Sequence, residues 1–178
     1  MTSTEPNLRR AAKAAYRMRK KYDANDCFPY FDVFILPTVE KRLKVCRYDT
    51  FCNMNGMDYT EFMRGISHDG FSLREGRRYI IVYNDAAHIP EARKRFTIAH
   101  ELGHYTLSHR VDGDKEEAEA DCFARHLLAP IWLAREKGID FPNYPRVFGI
   151  SAAAARMCEK MQSLDLDLSE KLYKKANK

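Results

Sequence analysis

His100 and His104 stand four residues apart with Glu101 beside the first, in a stretch whose other members include Phe96, Ile98, Ala99, Leu102 and Leu107. Four residues make slightly more than one helical turn, so both imidazoles project from one face. The neighbours make this helix apolar on nearly every side, which predicts burial. Two histidines and a glutamate in a buried helix are costly unless they have partners. One ion gripped by both rings answers that cost, the arrangement of an HExxH site; the alternative is a pair of satisfied core histidines. Gly103, between the histidines, costs about 1 kcal/mol relative to alanine in mid-helix. A close approach by another element would explain it.

The chemistry of such a site follows from its donors. A zinc ion lowers the pKa of its bound water to about 7. Glu101, one residue along from His100, is placed to accept that water's proton and hand it to a leaving amine. Catalytic zinc keeps three protein ligands and one open position, so a third ligand is required. The extended HExxHxxGxxH form would need Gly at 107 and His at 110; the chain has Leu107 and Arg110, and His109 misses the register by one. A glutamate downstream is the better candidate. Glu117 and Asp121 share a helix face with Ala120 and Ala124, whose small side chains would let that helix lie close to Gly103. Glu117 would bind the metal and Asp121 would accept the other ring N–H of a ligand histidine. Glu116 and Glu119 remain open as ligands, and Asp114 with Glu117 could instead form a capping box. His126, nine residues beyond Glu117, turns to the opposite side. Cys122 and His126 are spaced like a nucleophile or second metal pair, but a buried, inert thiol is the expectation. Tyr83, Arg95, Tyr105 and His109 are each possible oxyanion donors.

The 178 residues allow one good core, or one core with a small appendage. Hydrophobic residues make up 45% and charged residues 31%, the balance of an ordinary soluble domain. No apolar run is long enough to cross a bilayer, and the first residues lack the pattern of a secretory signal. A cytoplasmic location is expected. Five cysteines without a CxxC pair argue against a disulfide framework or a structural zinc knuckle. Much of the formal charge of +5 sits in basic clusters at Arg9-Arg10, Arg17 to Lys21 and Lys171 to Lys178, read as solvated helical faces.

Pattern and breakers predict helices over residues 7–22, from Asp32 to about Arg42 (with Pro37 inside it), and over 58–66, 90–109, 114–128 and 152–161. The 114–128 helix can resume after Pro130 as far as Glu136. Strands are predicted over 43–48, 70–74 and 78–84, the last two joined by a turn at Glu75-Gly76-Arg77. The strand from Tyr79 to Asn84 is expected to border the cleft and pair with an extended substrate segment.

Two segments carry a family likeness. Arg93-Lys94-Arg95-Phe96-Thr97-Ile98-Ala99-His100-Glu101-Leu102-Gly103-His104 resembles the signature of the ImmA/IrrE metallopeptidases. So does the run from Glu117 through Ala120, Asp121, Phe123, Ala124, Leu127 and Leu128 to Pro130, although Ala129 stands where Met is common. The strand before Asn84-Asp85 and the closing Phe148-Gly149-Ile150-Ser151 with Arg156 are also similar. The resemblance implies an α+β fold: a small antiparallel sheet packed on a mainly helical, zincin-like core, with a C-terminal helical, helix-turn-helix-like subdomain. The expected division is a basic helical segment (residues 1–30), a peptidase domain (31–136) and the C-terminal subdomain with its basic tail (137–178). It further implies one zinc ion per chain held by His100, His104 and Glu117, Glu101 as general base, and endopeptidase action on a helix-turn-helix transcriptional repressor.

Two rivals stand beside this reading. Gly149-Ile150-Ser151 followed by a helix resembles a helix-turn-helix turn, but a helix beginning with four alanines offers few groups for base edges. Direct nucleic-acid binding is therefore not expected, and neither is a membrane partner. A non-catalytic zinc-containing regulator is the other rival; Glu101 argues against it, since a structural site has no need of that acid.

Overall fold

The structure, a computed structural model, describes residues 5–22, 31–36, 40–66, 69–111 and 113–176. They fall into two compact units, residues 32–101 and residues 1–31 together with 102–178. In the first, Asp32 accepts the Phe34 N–H at 2.9 Å and starts a short 3-10 turn, Val33–Ile35. The longer helix expected from Asp32 would run through residues 37–39, which lie outside those described. Strand β1 (Leu43–Arg47) leads directly into helix α2 (Tyr48–Asn55), which ends at Gly56 in the left-handed region, φ 64°. Asp58 caps α3 (Tyr59–Gly65) by accepting the Glu61 N–H at 2.8 Å. Strands β2 (Gly70–Glu75) and β3 (Arg78–Tyr83) form the expected hairpin, with Gly76 supplying φ 57° at its turn. Helix α4 (Glu91–Leu107) follows.

The sheet order is β1-β3-β2, with β1 parallel to β3 and β2 antiparallel to it. This corrects the expected role of the strand ending at Asn84. Leu43 to Arg47 pair with Tyr79 to Tyr83 on one side and Gly70 to Glu75 pair on the other, so β3 has no edge left for a substrate. Its composition agrees with a central position: Tyr79, Ile81 and Val82 are all buried, and a strand covered on both faces needs a nearly continuous apolar run.

Cys46, Tyr48 and Val82 form one buried cluster of this unit, with Phe51, Phe62 and Phe71 packed on it. Tyr48 and Phe62 meet edge to face at 5.2 Å, a favoured aromatic geometry. Gly70 lets α4 close on the sheet: a Cβ there would stand 2.4 Å from Thr97 Cγ2 and 2.8 Å from the Val82 carbonyl oxygen. The start of the motif helix is held against β2 by this absence of a side chain.

In the second unit, α1 (Leu8–Lys21) packs along α5 (Asp114–Leu128) through Ala11, Ala12 and Ala15. Arg19, only 1% exposed, donates through Nη1 to the Leu127 carbonyl at 2.5 Å. A cation is favoured at that helix end, where carbonyls lack partners. The solvated-face reading thus holds for Arg9, Arg17, Lys20 and Lys21, which are exposed, and fails for Arg19. Short helices α6 (Ile131–Glu136) and α7 (Tyr144–Phe148) lead to α8 (Ala152–Lys160), capped by Ser151, and to α9 (Gln162–Ala176). Phe123, Leu127, Tyr144 and Phe148 are buried here. Among the described residues no helix is long and apolar enough to cross a membrane. Cys46, Cys52, Cys122 and Cys158 are free and buried; Cys27 lies outside the described residues.

The fold is α+β and, among the described residues, mostly helical with one three-stranded sheet.

Candidate metal centre

Helix α4 carries His100 and His104 on successive turns, His100 half-buried and His104 buried. Gly103 explains how the next helix reaches them. A Cβ at 103 would lie 3.0 Å from Ala120 Cα, 3.2 Å from its carbonyl oxygen and 3.3 Å from its Cβ. Only a glycine against an alanine permits this backbone approach. With Ala120 pinned there, Glu117 stands one turn earlier on α5, and its Oε1 lies 3.4 Å from His104 Nε2. His100, His104 and Glu117 each offer a ligand atom, and these atoms lie within 4.8 Å of one another.

The donor set fits zinc. Two donors held about 2.0–2.2 Å from one ion at a tetrahedral angle stand about 3.4 Å apart, the spacing seen between His104 and Glu117. Two imidazoles and a carboxylate are also the ligand chemistry of a catalytic site with one open position. Glu117 is exposed, so one side of the cluster faces solvent. Glu101, the residue after His100, is half-buried.

The alternatives for this acidic stretch separate. Helix α5 begins at Asp114 with Gly113 as N-cap and no side-chain cap bond, so the capping box of Asp114 and Glu117 does not form. Asp121 lies one turn beyond Glu117 and is exposed. Glu119 points elsewhere: it is 1% exposed, and its Oε2 lies 3.1 Å from His109 Nε2. His109 Nδ1 in turn lies 3.1 Å from His104 Nδ1. The backbone N–H of Asn7 donates to Glu119 Oε1 at 2.8 Å, and Arg10 Nη1 lies 3.8 Å from Oε2. Arg10 also donates to the Leu107 carbonyl. Burial alone would push the Glu119 carboxyl up; the hydrogen bonds from Asn7 and His109, with the charge of Arg10, outweigh it and hold the group below its ordinary value.

The sequence offered His109 as an oxyanion donor and Glu119 as a ligand; the structure instead pairs the two with each other and with His104. What brings His109 back is Ser108, the one described non-glycine residue at positive φ, 57°. The Ser108 N–H donates to the Tyr105 carbonyl at 3.1 Å, and the His109 N–H reaches the His104 carbonyl at 3.0 Å. A helix end of this kind usually takes glycine, so a serine there is no signal of the turn. The alternation of Glu117 and Glu119 on nearly opposite faces of one helix was a usable signal.

A second cluster, Cys122, His126 and Asp165, is wholly buried. Its charge is already balanced by Arg125, which donates through Nε to Asp165 Oδ2 and through Nη2 to Oδ1, both at 3.1 Å. His126 Nε2 lies 3.3 Å from the same Oδ1. Burial would raise the Asp165 carboxyl, but His126 and Arg125 outweigh it and hold the group low. Burial pushes the Cys122 thiol up to about 12, and its Sγ donates to the Leu8 carbonyl at 3.5 Å. This is a buried ion pair tying α9 to α5, with an inert thiol beside it. Of the possible oxyanion donors, Arg95 is buried, Tyr83 and Tyr105 are half-buried, and His109 is engaged with His104.

Comparison with known proteins bears on what such a site belongs to. The family model described as the IrrE N-terminal-like domain, peptidase family M78, matches residues 57–155, more than half of the chain and the whole of the motif helix and α5. Among curated proteins and among solved structures nothing matches. The matched segment and the histidine–glutamate cluster inside it agree, and the chain belongs to the ImmA/IrrE family of metallopeptidases.

Proposed function

We propose that the chain is a zinc-dependent endopeptidase that hydrolyses a peptide bond in a protein substrate, a helix-turn-helix transcriptional repressor, in the cytoplasm. The observation that carries this reading is the convergence of three donor atoms, two from successive turns of α4 and one from α5, within 4.8 Å. His100, His104 and Glu117 would hold the ion. When bound, zinc polarises a peptide carbonyl and acidifies a water. Glu101 takes the proton of the attacking water and returns it to the leaving amine nitrogen. Asp121 shares the Glu117 face of α5 and is assigned the outer ring N–H of a ligand histidine, although His104 Nδ1 is turned to His109. Pairing of an extended substrate with the sheet falls to β1 or β2, since β3 is central.

The test is cleavage of purified helix-turn-helix repressors by zinc-loaded wild type and by Glu101→Gln. Loss of a proton-transfer group lowers the rate by about 10²–10⁴-fold. Cleavage by wild type that survives in Glu101→Gln would remove Glu101 from the mechanism. A zinc-loaded wild type that cleaves no repressor would leave the non-catalytic regulator standing.

One observation favours a second reading, a DNA-binding regulator. An open groove of about 780 Å³ beside α1 is lined by Arg9, Arg10, Lys13, Arg17 and Lys20. Duplex binding with a steep salt dependence would support it; binding that is absent at low salt would dismiss it.

A further inference from the structure

The buried chain His104–His109–Glu119 has polar contacts at every link, and its far end is closed by α1. Glu119 is held by the Asn7 N–H and faced by Arg10, so it is an acceptor only. Its contact at 3.1 Å therefore places the proton of His109 on Nε2. A neutral imidazole with a proton on Nε2 has its lone pair on Nδ1. That lone pair faces His104 Nδ1 at 3.1 Å, which must then carry the donating N–H. The consequence reaches the proposed metal centre: His104 is left with its lone pair on Nε2, the nitrogen 3.4 Å from Glu117.

We infer that His109 and Glu119 are positioning residues that fix the tautomer and ring orientation of His104, and that α1 completes the centre by locking Glu119. The inference rests on His104 being a metal ligand, as proposed above. A ligand histidine ordinarily gives its second ring N–H to a carboxylate or carbonyl; here a second histidine stands between the two. Ser108 is the fold's means to this end. Its left-handed conformation, unfavourable for a residue with a side chain, returns the chain so that His109 meets His104. The rings meet edge to face, 5.0 Å between centroids.

The experiment reads the tautomer directly. Two-bond ¹H–¹⁵N correlations of the histidine rings are recorded on metal-free protein, for wild type, His109→Leu, His109→Gln and Glu119→Gln. Zinc affinity is measured by chelator competition and thermal unfolding is followed on the same metal-free samples. In wild type we expect His104 protonated on Nδ1 and His109 on Nε2. His109→Leu should lose that preference and bind zinc about 10–100-fold more weakly, with the stoichiometry kept. His109→Gln, whose amide oxygen can accept from Nδ1–H, should recover most of the affinity at an unfolding temperature close to that of His109→Leu. A wild-type His104 protonated on Nε2 overturns the inference. So does a folded His109→Leu that binds zinc within about twofold of wild type. Should His109→Leu not fold, the wild-type tautomer and Glu119→Gln decide: Glu119→Gln keeps the ring in place and should weaken zinc binding. A wild type that shows the expected tautomer and binds zinc, but hydrolyses nothing, contradicts the peptidase proposal and leaves this one intact.

Discussion

A methyl group added at position 103 would stand 3.0 Å from Ala120 Cα, a backbone atom that cannot swing aside. Gly103→Ala therefore sets two effects against each other. Alanine stabilises mid-helix by about 1 kcal/mol over glycine, while overpacking costs about 1–3 kcal/mol. We expect a net loss of up to about 2 kcal/mol, because backbone is involved, read by denaturant unfolding of the metal-free protein. Zinc affinity should fall too, since Glu117 rides on the displaced helix. An unchanged or raised stability would mean that α5 can shift without cost. At this scale the sequence was a good guide where a residue type has one physical use. Gly103 announced a close neighbour, and Ala120 is that neighbour. The pairing of His109 with Glu119 was not legible, because the turn that joins them depends on a serine adopting a conformation that nothing in its chemistry signals.

The elements show where pattern suffices and where it does not. The extents of α4 and α5 were readable from pattern and breakers. Helix α2 was not: Tyr48-Asp49-Thr50-Phe51-Cys52 has no helical pattern of its own and is set by the aromatic cluster it joins. The central place of β3 was also hidden, because the parallel partner β1 lies more than thirty residues earlier. The tie between α5 and α9 yields a prediction of its own. Asp165→Asn would leave Arg125 buried without its counter-charge, and breaking such a pair costs about 3–5 kcal/mol. The wild-type carboxyl is held below its ordinary value, so its contribution is present above the ordinary carboxylate range and is lost as pH falls through the depressed folded value. We expect urea-unfolding free energy at neutral pH to fall sharply in Asp165→Asn. Wild type and variant should converge in strong acid. A difference that stays constant from neutral pH into acid would exclude this source.

For the whole molecule, a bound ion acts as a ligand of the folded state alone, because the donor set comes from α4 and α5 and is absent in the unfolded chain. Zinc at 100 times its dissociation constant should stabilise the fold by about 2.7 kcal/mol. We expect a higher unfolding temperature with zinc, reversed by a chelator, and no zinc effect in Glu117→Ala. The α+β class and the family were both open to a reader of the sequence, because the signature segments lie inside the matched residues 57–155. Which acid of α5 reaches the histidines was left open between Glu117, Glu116 and Glu119, since spacing along one helix does not set how that helix docks.

The most direct test of the metal centre is elemental analysis of purified, zinc-supplemented protein for wild type, His104→Ala, Glu117→Ala and Glu101→Gln. We expect about one zinc per chain in wild type and in Glu101→Gln, and its loss in His104→Ala and Glu117→Ala, as three ligands with one open position require. A wild type without stoichiometric metal, or full zinc in both ligand variants, would contradict the centre described here.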